Sequence, residues 1–138
     1  MSYVLDTNTV IAAFNGDDAV LERLASLGPG EVILCAPVVA ELDFGAHCSK
    51  RREQNLQRVN NLIASTRYEP FDLHAARLFG EVKANLRKRG ANKTDFDLAI
   101  AMVSIVHGAV LVSDDQAFLG GSIPGLKVEN WQHRPTDP

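Results

Sequence analysis

Residues 95–118, DFDLAIAMVSIVHGAVLVSDDQAF, hold two apolar runs of unequal length on either side of His107 and Gly108. From Leu98 to Val106 almost every position is apolar, so no polar face remains, and the run predicts a buried helix stopped by Gly108. AVLVS, at 109–113, is short and bounded by a glycine and two acids, which predicts a buried strand. Asp114 and Asp115 follow that strand at once. A helix that feeds a strand apolar on both faces is one half of a parallel crossover unit.

The same alternation extends outward in both directions. SYVL at 2–5 and VILC at 32–35 predict further short buried strands, LKVEN at 126–130 a weaker one, and the region of Tyr68 an edge strand. Helices are expected between them. Asp17 or Asp18 can cap one that runs through Leu27 and stops at Gly28-Pro29-Gly30, and Pro37 suits the first turn of another that runs toward Cys48. Residues 52–65 predict a third, and Asp72 caps a long one whose apolar positions Ala75, Phe79, Val82 and Leu86 recur at helical spacing before Gly90. The expected architecture is α/β, a mostly parallel sheet flanked by helices. All of it belongs to one domain over residues 1–132, with a loose polar tail at 133–138.

Composition narrows the function. A chain of 138 residues buries about two thirds of the surface its unfolded form exposes, enough for a core without staples. Cys35 and Cys48 have neither metal-type nor framework spacing, so they are expected to be free thiols in a reducing compartment. No membrane-length apolar run and no signal-peptide pattern occurs, which makes a cytoplasmic protein with no membrane partner the expectation. The net charge of −3 conceals a basic middle: Lys50 to Lys93 contains eleven Lys and Arg against four acids. Lys50, Arg51, Arg52, Arg87, Lys88, Arg89 and Lys93 are therefore candidate contacts to a polyanion such as RNA. Arg87 to Arg89 equally suit a helix C-terminus, where cations complement the dipole.

Acids outside that middle carry the chemistry. In a parallel sheet, ligands bind beyond the carboxyl ends of the strands, which is where Asp6 and the Asp114–Asp115 pair fall. On the helix PVVAELDFGAHC, Val38, Leu42 and Gly45 make an apolar stripe, and Glu41 lies roughly 60° from its centre while Asp43 points away. Asp97 opens the densest apolar run; Asp95, about 200° around the same helix, cannot face the sheet with it. Each acid also has a purely structural use: Asp6 and Asp115 as helix caps, Asp97 in a capping box with Thr94. Together, four carboxylates from separate segments at one sheet edge would repel one another unless a cation neutralises them. Oxygen-only ligands select hard ions, so one or two Mg²⁺ or Mn²⁺ ions are expected. Such an ion supports phosphodiester hydrolysis with no protein nucleophile.

VLDTN at 4–8, PVVAELDFG around Glu41, DFDLAIAMVSIVHGAVLVSDDQAF and IPGLKVENW, in that order, resemble the PIN-domain ribonucleases, specifically VapC-like toxins of toxin–antitoxin pairs. By position, the resemblance implies Asp6, Glu41, Asp97 and Asp115 as catalytic metal ligands, with Asn8 and Ser113 orienting the site. It also implies a sheet of order 3-2-1-4-5, an RNA substrate, a homodimer, and inhibition by a cognate VapB-like antitoxin. Two alternatives are a haloacid-dehalogenase-like phosphatase, for which Asn8 replaces a needed second Asp, and a noncatalytic protein-binding module. GGSIPG has neither a phosphate-loop ending nor a nucleophile elbow and reads as a turn, and the four histidines share no spacing.

Overall fold

β1 (Tyr3–Leu5) is buried at every position and pairs on both sides, which makes it the centre of the sheet. The computed structural model describes residues 1–91 and 93–132. β2 (Val32–Cys35) and β4 (Val110–Val112) flank β1 and are buried throughout, while β3 (Arg67–Glu69) and β5 (Lys127–Glu129) form the edges. Every pairing is parallel, in the order β3-β2-β1-β4-β5, the implied 3-2-1-4-5. Central strands carry only apolar residues because both of their faces are covered. Arg67, Glu69, Lys127 and Glu129 put charge on the edges, which discourages further strand addition.

Seven α-helices accompany these strands among the described residues: α1 (Thr7–Phe14), α2 (Asp18–Ala25), α3 (Ala36–His47), α4 (Arg52–Ser65), α5 (Leu73–Lys88), α6 (Asp95–Val106) and α7 (Gln116–Leu119). Side chains of Asp6, Asp17, Asp72, Thr94 and Asp115 accept first-turn N–H groups of α1, α2, α5, α6 and α7. Gly90 and Gly108, both at positive φ, end α5 and α6 as expected. Two local expectations change: α2 stops at Ala25 instead of Leu27, and the buried stripe of α3 is Val38, Leu42 and Ala46 with Gly45 exposed. α1 and α7 are the helices whose caps, Asp6 and Asp115, the sequence suggests without setting a range for either helix.

α6 is the central covering helix. It buries Leu98, Ile100, Ala101, Met102, Val103 and Ser104 and packs on β1, β4, α3 and α5. One cluster of buried apolar residues runs from Tyr3 to Trp131. Its last member is fastened from three directions: the Trp131 and Tyr3 rings are 5.2 Å apart, Arg23 lies 5.0 Å from the Trp131 ring, and Glu129 accepts from both Arg23 and the indole N–H at 3.1 Å. The tail expected at 133–138 lies outside the described residues. Both cysteines are free, and burial pushes the Cys35 thiol up to about 12, so it serves as packing. Among the described residues no helix is long and apolar enough to cross a membrane.

Burial ranks the strands for mutation. Leu34→Ala, on a fully buried β2 position, should cost about 2–5 kcal/mol in urea denaturation. Tyr68→Ala, on the half-exposed edge strand beside it, should cost less than about 1.5 kcal/mol.

Candidate metal centre

Asp6 is the residue after β1, and its N–H donates to the Val112 carbonyl at 3.1 Å, which carries the β1–β4 pairing one step past the strand. Its side chain turns back to accept the Thr9 N–H at 2.8 Å and so caps α1. The buried Thr9 hydroxyl donates to the same Val112 carbonyl at 3.1 Å. Asp6 is only 8 % exposed. Burial raises its pKa above the usual carboxylate value and the charge of Asp114 adds to the rise, whereas the Ser113 hydroxyl and the Thr9 donors pull it back. A carboxylate in this position favours any cation that replaces its lost hydration.

Glu41 is held by a partner the sequence did not suggest. The Thr7 hydroxyl, in the first turn of α1, donates to Glu41 Oε1 at 2.6 Å and bridges α1 to α3. α3 begins at Ala36, directly after β2, so Glu41 stands near the carboxyl edge of the sheet on which Asp6 sits.

α6 leads into β4 through a short turn, so its N-terminus and Asp97 lie toward the same edge. The Asp97 N–H is capped by Thr94 at 3.3 Å, but no hydrogen bond reaches its carboxylate among the described residues, so the reciprocal half of a capping box is missing. Asp95 is engaged elsewhere, with Lys83 of α5 at 2.8 Å. That separates the two acids as the helical angle predicts. Asp115 spends one oxygen on the Ala117 N–H at 2.9 Å, and its own N–H donates to the Ser113 hydroxyl at 3.0 Å. Asp114 is the acid of the pair whose charge acts on Asp6.

Other expected residues fall differently. Asn8 is exposed and shows no side-chain bond to Asp6 among the described residues; Thr9, one position on and facing β4, does the orienting instead. A Thr three residues after a strand-end Asp, at the position whose N–H a capping Asp accepts, was the available signal. Ser113 does stand beside Asp6. Lys50, Arg51 and Arg52 are exposed where α3 gives way to α4, and Arg87, Lys88 and Arg89 are exposed at the end of α5.

Among the described residues no three Asp, Glu, His or Cys side chains stand close enough to enclose a metal ion together. The four acids therefore share an edge without forming the tight pocket expected of them. The donors nevertheless fit Mg²⁺ or Mn²⁺. They are all oxygens, one of them is a carboxylate penalised by its surroundings, and Mg²⁺ in particular keeps several waters and takes one or two carboxylates instead of an all-protein cage.

The PIN domain family model matches residues 3–120. The chain belongs to the PIN-domain family. This PIN domain is 31% identical over 133 residues to "Ribonuclease VapC2" of Rickettsia felis, covering 95% of this chain and 98% of that one. It is 27% identical over 131 residues to "tRNA(fMet)-specific endonuclease VapC" of Salmonella typhimurium, with the same coverage. The VapBC2 structure from Rickettsia felis bound to a promoter DNA fragment superposes with a TM-score of 0.87 at 29% identity, covering 96% of this chain and all of that one. The protein is accordingly a PIN-domain nuclease, which sets aside the phosphatase and binding-module alternatives.

Asp6 makes a pH prediction. Its raised folded pKa favours the protonated form, so in chelator its stabilising contribution is present at low pH and is lost as pH rises through the raised value. Asn caps a helix as well as Asp. Asp6→Asn should melt about 2–4 °C higher than wild type near pH 7 in chelator, should lose that advantage toward pH 4 or so, and should gain nothing from Mg²⁺ where wild type gains. Melting curves with and without Mg²⁺ across pH check this.

Proposed function

We propose that this PIN domain is a Mg²⁺- or Mn²⁺-dependent endoribonuclease and the toxin of a VapBC-like pair, restrained by a cognate VapB-like antitoxin. The observation that carries the proposal is the desolvated Asp6 carboxylate at the end of β1, aligned by Thr9 and Ser113 and crowded by Asp114. Asp6, Glu41, Asp97 and Asp115 would hold the ion, with Asp114 adding charge beside them. When bound, such an ion activates water for attack on a phosphodiester and offsets charge on the phosphate.

The chain's own residues do the positioning. Thr9 and Ser113 fix the Asp6 carboxylate at a strand end, the least mobile place available, and Thr7 fixes Glu41. The N-terminus of α6 brings backbone N–H groups and the positive end of a twelve-residue helix toward the edge where phosphate would lie. The antitoxin assignment rests on the relatives, whose solved complexes from Rickettsia felis and Salmonella typhimurium are VapBC assemblies. The homodimer we propose would seat apolar side chains of the second copy in the groove of about 390 Å³ among α3, α5 and α6, where Phe96 is half exposed beside Pro37, Phe71 and Phe79.

Glu41→Gln or Asp97→Asn should lower Mn²⁺-dependent RNA cleavage by about a hundredfold or more. Thr7→Val, which removes only the partner of Glu41, should lower it about tenfold. Undiminished cleavage by the acid variants would reject the site. Expression of the chain alone should arrest growth, and co-expression of the neighbouring small reading frame should relieve the arrest; indifference to both would reject the toxin assignment. Phe96→Glu should convert a dimer to a monomer in sedimentation velocity, and a wild-type monomer would remove the groove's assignment.

A further inference from the structure

Lys93 stands four residues ahead of Asp97, in the segment that leads into α6. Its ammonium lies 4.4 Å from the centre of the Phe118 ring. The nitrogen is shielded from solvent, and among the described residues no hydrogen-bond acceptor meets it. Asp95 pairs with Lys83 and Asp115 caps α7, and the Asp97 carboxylate, four residues on, makes no hydrogen bond to the Lys93 nitrogen among the described residues. The aromatic face offsets only part of the desolvation, less than burying an unpaired charge costs. A buried ammonium ordinarily has an anion or several oxygen acceptors. Here the protein supplies a ring.

Its location says which anion. Phe118 belongs to α7, whose cap is Asp115, so Lys93 lies between the segments that carry Asp97 and Asp115. Arg89, four residues earlier, donates to the Ser122 carbonyl at 2.9 Å, in the turn that follows α7. One cation therefore lies on α7 and another on the turn after it, the helix being capped by the candidate metal ligand Asp115. We propose that Lys93 is a phosphate-binding residue of the RNA site: its flexible stem lets the ammonium leave the Phe118 face and pair with a backbone phosphate of a bound strand next to the acids. The proposal rests on the ribonuclease reading above and adds to it a specific residue and ligand group. Lys50, Arg51 and Arg52 differ in kind, because they are exposed and already hydrated.

The test uses Asp6→Asn protein, expected to bind without cleaving, and a short single-stranded RNA followed by fluorescence anisotropy over a salt series. Lys93→Met keeps the apolar stem on Phe118 and removes the charge. It should weaken binding about fivefold to tenfold near 0.1 M salt and reduce the slope of log K against log salt by about 0.7, with the melting temperature held within about 3 °C. Lys93→Arg should restore the slope. Unchanged affinity and slope in Lys93→Met, or a lowered melting temperature with the parental slope, would overturn the assignment and leave Lys93 as packing. If wild type cleaves no RNA and Asp6→Asn protein binds none, the ribonuclease reading falls as well. Normal cleavage with an indifferent Lys93→Met overturns only this inference.

Discussion

A single desolvated carboxylate organises this molecule. Asp6 is the first residue past a strand that is buried on both faces, and it loses its hydration because β1 must lie at the centre of the sheet. The chain answers with donors from two sides, Thr9 in the first turn of α1 and Ser113 at the end of β4, while Asp114 opposes them. The balance leaves the carboxyl above its ordinary pKa. A purely structural cap would have no reason to be buried beside a second acid, since a solvated Asp caps a helix equally well. The cost is one that a divalent cation removes, which is why the local energetics and the family agree.

Much of the scaffold was legible because the core strands and α6 are apolar throughout. Where burial is complete the signal is an unbroken apolar run, and Val32–Cys35 and Val110–Val112 lie inside the runs that announced them. α1 was hidden for an opposite reason. Thr7, Asn8 and Thr9 are weak helix formers, and what holds them helical is the Asp6 cap together with the Thr9 contact to Val112, a partner 103 residues away. α7, four residues long, owes its existence to the Asp115 cap more than to any period. In the site, the acids could be nominated from strand ends and helix angles and Ser113 from the family resemblance, but the Thr7 and Thr9 hydroxyls were not. The Thr7–Glu41 bond joins residues 34 apart, and nothing local in either segment distinguishes it.

Charge is distributed with the same logic. The four candidate acids lie toward the carboxyl edge of the sheet, whereas the basic residues between Lys50 and Lys93 occupy α4, α5, the edge strand β3 and the turns beside them. Most of these cations are exposed, so their attraction for a polyanion is screened over roughly 8–10 Å in physiological salt. They can raise the local concentration of RNA without fixing its register. A cation close to the acids and withheld from water acts at shorter range and in a lower dielectric, where one contact can position a phosphate. Lys93 is the member of the basic segment placed to do this.

Register explains why the carboxylate meets a hydroxyl and not another acid. β1 and β4 pair with Tyr3 opposite Val110, Val4 opposite Leu111 and Leu5 opposite Val112, so the next step sets Asp6 beside Ser113. Sliding β4 by one residue in one direction would put Asp114 in that place and join two carboxylates directly. A slip in the other direction would offer Val112, which has no side-chain donor at all. Either shift would also turn the buried side chains of a central strand to the opposite faces, and three apolar residues in each strand would have to repack against different helices. The hydrophobic packing that selects the register is therefore the same constraint that gives Asp6 one donor and one repulsive neighbour. That combination leaves the carboxylate strained enough to favour a cation and ordered enough to aim at it.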